Sequence, residues 1–217
     1  MTTIPADYSI PEAIQHLSAA DPAMGALIHA VGPCEGLVRP DTHPFEALTE
    51  AIVYQQLSGK AASTILGRFR ALLGSPGTLD PTAVLALDPE AMRAAGLSGA
   101  KTTAIRDLAD KTLSGVVPNQ HLLRTLDNQA IIDRLTVVRG IGPWSVQMYL
   151  MFRLGRPDVL PHTDLGIRKG VQKLDGLDEL PAPAAVLARG NAWRPYRTLA
   201  SWYLWRGLEL PDDLLLT

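Results

Sequence analysis

Leu135-Thr136-Val137-Val138-Arg139-Gly140-Ile141-Gly142-Pro143-Trp144, followed downstream by Pro161-His162-Thr163-Asp164-Leu165-Gly166, decides how this chain is read. Two glycines flank one apolar residue, and a proline then opens an apolar-rich segment. That pattern is a tight turn between two helices. Glycine tolerates the left-handed conformation at a helix end, and Pro143 suits the first position of the next helix. The turn predicts that the amides of Gly140, Ile141 and Gly142 point outward at a helix N-terminus, where an anion docks. A phosphate of nucleic acid is the obvious anion. Asp164 follows a short way beyond, and a carboxylate close to a polyanion needs a reason to be there.

Working outward, the pattern is helical almost throughout. Glu12–Ala20 and Pro22–Ala30 open the chain, introduced by Pro11 and by Asp21 with Pro22. Phe45–Leu57 carries apolar residues at 45, 48, 52 and 53, near helical spacing. Ser58 is the N-cap expected for a helix from Gly59 to about Leu73. Asp80-Pro81 and Asp88-Pro89 read as starts of short helices, and Ser98 as the cap of a helix reaching about Leu113. Residues 128–135 and 143–154 are the two arms of the hairpin. One helix is expected after Asp164 and another over Arg194–Arg206. Only Val116-Val117-Pro118 reads as extended, and breaks near 32–44, 74–81, 155–161 and 175–184 read as loops. No internal repeat or low-complexity segment is evident.

The chain has 217 residues, enough for one large domain or two small lobes with a real core. Hydrophobic content is 47% and charged content 19%, an ordinary globular balance. No apolar run is long enough to cross a membrane, and the first residues, with Asp7, Glu12 and His16, do not read as a secretory signal. The one cysteine, Cys34, excludes an internal disulfide and a four-cysteine iron–sulfur cluster. A cytoplasmic protein fits. Net charge is −2 and the pI about 6.2, which counts against a bulk electrostatic grip on nucleic acid but leaves room for a local positive strip. Residues 192–206 hold Arg194, Arg197 and Arg206 with no acid, whereas 207–217 hold Glu209, Asp212 and Asp213 with no base. DNA affinity should be moderate and salt-sensitive.

The hairpin with its downstream aspartate resembles the helix-hairpin-helix superfamily of DNA glycosylases. Within it, Gly-Ile-Gly-Pro-Trp at 140–144, Leu-Gly-Arg-Pro-Asp at 154–158 and Asp-Leu-Gly-Ile-Arg-Lys-Gly at 164–170 are most similar to the alkylation-repair branch, the 3-methyladenine DNA glycosylase II family. The resemblance spans roughly residues 45–206. It implies an all-α, two-lobed fold with the active site in a cleft between lobes. Residues 45–154 would form a central lobe with the hairpin at 128–154, and 1–44 plus 155–217 a second lobe. The N-terminal β-rich domain of larger relatives should be missing or reduced to helices.

Hydrolysis of an N-glycosidic bond requires a carboxylate near the anomeric carbon, because the sugar develops oxocarbenium character as the base leaves. Such a carboxylate stabilises that charge and orients or deprotonates a water. Asp164 is the candidate. It reads equally as the N-cap of the helix at 165–173, and the two roles are compatible, since capping amides favour the ionised form. His162 and Asp158 read as loop contacts or a supporting shell. In relatives that also cut the backbone, a lysine at the place of Trp144 forms a Schiff base with the sugar. This chain has no lysine between Lys111 and Lys169, so a monofunctional enzyme leaving an uncut abasic site is expected, with no metal needed for chemistry. The resemblance also implies a structural monovalent cation, Na+ or K+, on the main-chain carbonyls of Thr136, Val138 and Ile141.

N-alkylated purines carry positive charge in the nucleoside and should gain from contact with an indole face. Trp144 and Trp193 match aromatic positions of the family pocket, while Trp202 and Trp205 read mostly as core. Met148 departs from the tyrosine of close relatives, which removes a flat contact and unsettles the base preference. Ile52-Val53-Tyr54-Gln55-Gln56-Leu57-Ser58-Gly59-Lys60-Ala61-Ala62 resembles the segment that plugs the gap left by a flipped base. By that match Gln56 enters the gap, with Leu57 its neighbour. Gly96-Leu97-Ser98-Gly99-Ala100-Lys101 implies a second backbone contact through Ser98 and Lys101; Lys60, Arg139, Arg168 and Lys169 are further candidates for phosphates. The expected activity is excision of 3-methyladenine and 7-methylguanine from damaged double-stranded DNA by a monomer, with 1-methyladenine and 3-methylcytosine as further candidates. A bifunctional glycosylase/lyase, a non-catalytic DNA-binding hairpin module and a purely structural turn are the rival readings.

Overall fold

The computed structural model describes residues 8–37, 43–74 and 79–211. Every regular element among them is helical. Contacts divide the chain into two compact units, Thr42–Tyr149 and the pair Met1–Asp41 with Leu150–Thr217.

The central unit holds α3 (Pro44–Tyr54), α4 (Gly59–Leu72), α5 (Pro81–Ala86), α6 (Pro89–Ala94), α7 (Gly99–Leu113), α8 (Gln120–Thr125), α9 (Asn128–Leu135) and most of α10 (Pro143–Phe152). Its helix starts follow short polar caps. Ser58, Asp80, Asp88, Ser98, Asn119 and Asp127 each accept an amide of the following first turn, which satisfies donors that a helix cannot satisfy internally. α7 runs through the middle, against α3, α5 and α6. It brings Ile105 and Leu108 into a core with Phe45, Leu48, Ile52 and Phe69, all fully buried or nearly so.

The second unit holds α1 (Ile10–Ala20), α2 (Pro22–Val31), the end of α10, α11 (Leu165–Leu174), α12 (Pro183–Arg189), a 3-10 turn (Gly190–Trp193) and α13 (Arg197–Gly207). Asp21 ends one helix and starts the next. Its amide donates to Leu17 O, and its Oδ1 accepts from Ala23 and Met24. Leu17, Met24, Leu27, Ile167, Val171, Leu199, Tyr203 and Leu204 build this core.

Several boundaries differ from expectation. α3 stops at Tyr54 rather than Leu57, because Gln55 turns extended and donates to Ile52 O. The last helix starts at Arg197 rather than Arg194, after the turn through Pro195. α8 and α12 lie where no helix was expected. Val116-Val117-Pro118 forms no strand. Asp7, Asp212 and Asp213, and parts of the breaks at 32–44 and 74–81, lie outside the described residues.

Candidate active site and nucleic-acid interface

In the second unit, Asp164 caps α11. Its Oδ1 accepts the Ile167 amide at 2.9 Å and the Trp205 indole Nε1–H at 3.0 Å. The carboxylate is therefore held from its own helix and from α13. Gly166 makes this possible: a Cβ there would lie 2.8 Å from Trp205 Cδ1 and Nε1 and 2.9 Å from Asp164 Oδ1. Trp205 packs its other side on Phe152, with ring centroids 6.0 Å apart. Trp205 packs against the core, as expected, and it also donates to the candidate carboxylate. No periodicity marks it, since its partner is 41 residues away; the glycine two residues after Asp164 is the only local sign of a close approach.

Trp193 corrects the expectation that it walls a base pocket. It is 0% exposed, its Nε1–H donates to Asp21 Oδ2 at 2.7 Å, and the Arg189 guanidinium sits 5.0 Å above its ring. Arg189 also pairs with Asp21 and Asp175. Burial of Asp21 opposes its ionisation, but the Trp193 N–H, Arg189 and the Met24 amide outweigh it and hold the carboxyl below the usual range. This buried network is structural: no face of Trp193 is open to a ligand.

Asp158, read as a loop contact, anchors two arginines, Arg194 at 2.8 Å and Arg197 through a forked pair. Thr198 Oγ1 donates to Arg156 O and accepts from the Val159 amide. The segment before Asp164 is thus stitched to the start of α13. Arg206 pairs with Glu209, so the arginine strip at 192–206 is engaged within the protein. His162 Nδ1 lies 3.4 Å from Leu160 O, a local loop contact. Arg168 donates to Pro181 O, and Lys169 is exposed.

In the central unit the hairpin forms between α9 and α10. Gly140 has φ +77°, a conformation that strains any residue with a Cβ. Gly140 is exposed and Gly142 half-buried, at the positive end of the α10 dipole. Ile141 does not follow the expectation of an outward amide: it is buried, and its N–H donates to Val138 O at 3.1 Å. The turn is pinned to α7 by the Arg139 amide, which donates to Asp107 Oδ2 at 2.8 Å. Burial works against ionisation of Asp107, yet that amide and the Lys111 ammonium together hold it below the usual carboxylate range. Carbonyls suit a hard monovalent cation. Those of Gly140 and Gly142 accept from Gln55 and Val146. Val138 O, with one bond from Ile141, keeps a second lone pair.

Trp144 stands on the first turn of α10, 45% exposed, and Met148 follows one turn later, half-buried. Gln56 and Leu57 are exposed in the link between α3 and α4. Gln56 has φ +57° and is the one non-glycine residue at positive φ among the described residues. Such a conformation carries a strain of order 1–3 kcal/mol. Ser98 caps α7 through the Lys101 amide. Lys101 corrects the expectation of a phosphate ligand. Its Nζ donates to Val53 O and Gln55 O, both at 2.8 Å, and its partial burial lowers the ammonium pKa. Lys60 remains exposed.

Comparison with known proteins places the chain in a family. The model of the HhH-GPD superfamily base excision DNA repair proteins matches residues 49–195. The chain is similar to DNA-3-methyladenine glycosylase 1 of Schizosaccharomyces pombe, 37% identical over 207 residues, covering 94% of this chain and 90% of that relative. Among solved structures, the Schizosaccharomyces pombe 3-methyladenine DNA glycosylase in complex with abasic DNA matches with TM-score 0.80 at 37% identity, over 93% of this chain and 98% of that one. A DNA-3-methyladenine glycosidase from Bacillus halodurans matches with TM-score 0.84 at 33% identity, over 99% and 97%.

Proposed function

Since the chain belongs to the HhH-GPD superfamily of base excision DNA repair proteins, and is an alkylbase DNA glycosylase within it, we propose that it removes 3-methyladenine and 7-methylguanine from double-stranded DNA with Asp164 as its catalytic carboxylate. The observation that carries this reading is the fixing of Asp164 by two N–H donors, one from the amide of Ile167 and one from Trp205. A carboxylate held in one orientation stabilises developing positive charge without reorganising during the reaction. As the bond from sugar to base breaks, Asp164 faces the oxocarbenium-like sugar and directs a water to its anomeric carbon. The alkylated purine departs as a neutral base, and the DNA backbone stays intact.

The other roles follow from placement. The exposed indole of Trp144 offers a face to a cationic base, and Met148 beside it is softer and less demanding of shape. This pair admits 1-methyladenine or 3-methylcytosine as further substrates. Gln56 and Leu57 fill the gap left by the flipped nucleotide. The hairpin turn at Gly140 and Gly142, with the start of α7 at Ser98, holds phosphates. A Na+ or K+ ion on Thr136, Val138 and Ile141 would add positive charge beside one of them. A cytoplasmic, DNA-associated monomer completes the reading. No helix among the described residues is long and apolar enough to cross a membrane.

Single-turnover release of 3-methyladenine and 7-methylguanine from alkylated duplex tests it, with wild type beside Asp164→Asn. Asparagine caps a helix as well as aspartate, so the variant should fold. We expect a loss of about 10²-fold or more and an uncut abasic product. Normal release by the folded variant would reduce Asp164 to a helix cap. Release failing in both proteins while duplex binding persists would favour the DNA-binding module.

A further inference from the structure

The residue before Gln56 is held from two directions. Gln55 O accepts from Lys101 Nζ of α7 at 2.8 Å, and Gln55 Nε2 donates to Gly140 O of the hairpin turn at 3.0 Å. The same ammonium reaches Val53 O, which places a positive charge at the C-terminal end of α3, where the helix dipole favours it. The hairpin turn is tied back to α7 through Arg139 N and Asp107. A closed circuit therefore runs from α7 to the end of α3, through Gln55 to Gly140, and back through Arg139 to α7. Gly140 itself approaches α7 closely, where a Cβ would lie 3.1 Å from that of Ala104.

Immediately after this doubly held residue comes Gln56, with φ +57°. A side-chain-bearing residue keeps a left-handed conformation only where its surroundings over-determine it. Fixing the carbonyl of Gln55 fixes the peptide plane between residues 55 and 56, and with it the direction in which Gln56 leaves the chain. Gln55 hydrogen-bonds the hairpin turn through its side chain, so the plug segment and the hairpin turn share an anchor.

We propose that Gln55 and Lys101 are positioning residues that preset Gln56 as the gap plug and lock it in register with the hairpin turn. This rests on the reading that Gln56 enters the gap left by a flipped base. A plug whose backbone is arranged before contact loses less conformational freedom when it inserts. Gln55 and Lys101 touch neither sugar nor base; they act through Gln56.

The test is a double-mutant cycle between Gln55→Leu and Gln56→Ala. One readout is the fluorescence of 2-aminopurine set opposite a tetrahydrofuran abasic site in a duplex, which reports insertion without any chemistry. The other is the single-turnover rate of 7-methylguanine release, with duplex affinity measured in parallel. Each single variant should weaken the insertion signal and slow release about tenfold. The double variant should be no worse than Gln56→Ala alone, because Gln55 then has no plug to position. Lys101→Met should repeat the Gln55→Leu effect and lose it likewise in the Gln56→Ala background. Additive losses would overturn the proposal and leave Gln55 a general structural residue. An insertion signal lost in Gln56→Ala but intact in both Gln55→Leu and Lys101→Met would overturn it while sparing the plug. An insertion signal intact in Gln56→Ala would remove the plug reading and the proposal with it.

Discussion

At the scale of single residues, two tryptophans each donate to a carboxylate. Trp205 donates to Asp164, whereas Trp193 donates to Asp21 inside the core. The chemistry of each follows from its acceptor. A hydrogen bond to a charged group contributes about 1.5–3 kcal/mol. Trp205→Phe keeps the ring against Phe152 but removes the donor, so base release should slow by roughly tenfold or more with little change in melting. An unchanged rate would make Trp205 a packing residue only. Trp193→Phe should do the reverse. It leaves a buried oxygen of Asp21 short of a partner, at about 1–3 kcal/mol or roughly 2–10 °C in the melting midpoint, with catalysis by the folded protein kept. A melting curve and a release assay on the same two samples separate these outcomes. Asp164 and Gln56 could be singled out as candidates because each lies in a short stretch that resembles a family motif. Trp193 and Trp205 both occupy one aromatic-rich stretch, and only the partners brought up by folding tell them apart. The pairing of Lys101 with α3 was hidden for the same reason, since an exposed-looking lysine carries no sign of a carbonyl 46 residues away.

At the scale of elements, the helix starts were the most readable feature, because a polar cap and a proline act locally. Asp80-Pro81, Asp88-Pro89, Ser58 and Ser98 all begin helices as expected. α12 escaped because Ala182 at its N-cap offers no side-chain acceptor, so nothing local distinguishes it from the preceding loop. The end of α3 escaped because its stop is set by α7 and the hairpin, not by its own sequence. The first turn of α11 gives a prediction that opposes propensity to geometry. Ala exceeds Gly in helix propensity by about 1 kcal/mol, so Gly166→Ala should not weaken the isolated helix. Its Cβ would strike Trp205 and Asp164 Oδ1 and displace the indole from the carboxylate. Release should fall at least as far as in Trp205→Phe while helicity by circular dichroism is kept. Equal activity to wild type would show that the contact between Trp205 and Asp164 is dispensable.

At the scale of the whole molecule, among the described residues each unit carries a carboxylate held below its ordinary value, Asp21 in one and Asp107 in the other. A folded value below the unfolded one, about 3.9 for aspartate, adds stability that is complete above the unfolded value and disappears as pH falls through the folded one. Stability should therefore hold from neutrality to about pH 5 and decline below it. Asp21→Asn and Asp107→Asn should each lower stability at neutral pH and flatten that acid decline. Unfolding curves between neutrality and strong acid would show it, and parallel curves for wild type and variants would contradict it. The charge pattern acts at this scale too. Arg189, Arg194, Arg197 and Arg206 are all paired internally in a chain of net charge −2, so the proposed grip on DNA would draw on other cations, such as the exposed Lys60 and Lys169, and on the hairpin turn. Duplex binding should remain salt-sensitive, but with these arginines engaged its slope should reflect fewer displaced counterions than the arginine strip alone would suggest.

The bond between Trp193 and Asp21 joins positions 172 apart in sequence, and the unit that contains it is made from both ends of the chain. Translation proceeds at roughly 5–20 residues per second. The ribosome therefore needs about 10–30 s to deliver Trp193 after Asp21 has emerged. During that interval Thr42–Tyr149 is continuous and can assemble as it appears. α1 and α2 meanwhile wait with Leu17, Met24 and Leu27 uncovered, an apolar surface suited to capture by a chaperone. Birth order should thus run from the hairpin-bearing half to the half that holds Asp164, so the nascent protein would complete its hairpin turn before the unit of its candidate carboxylate.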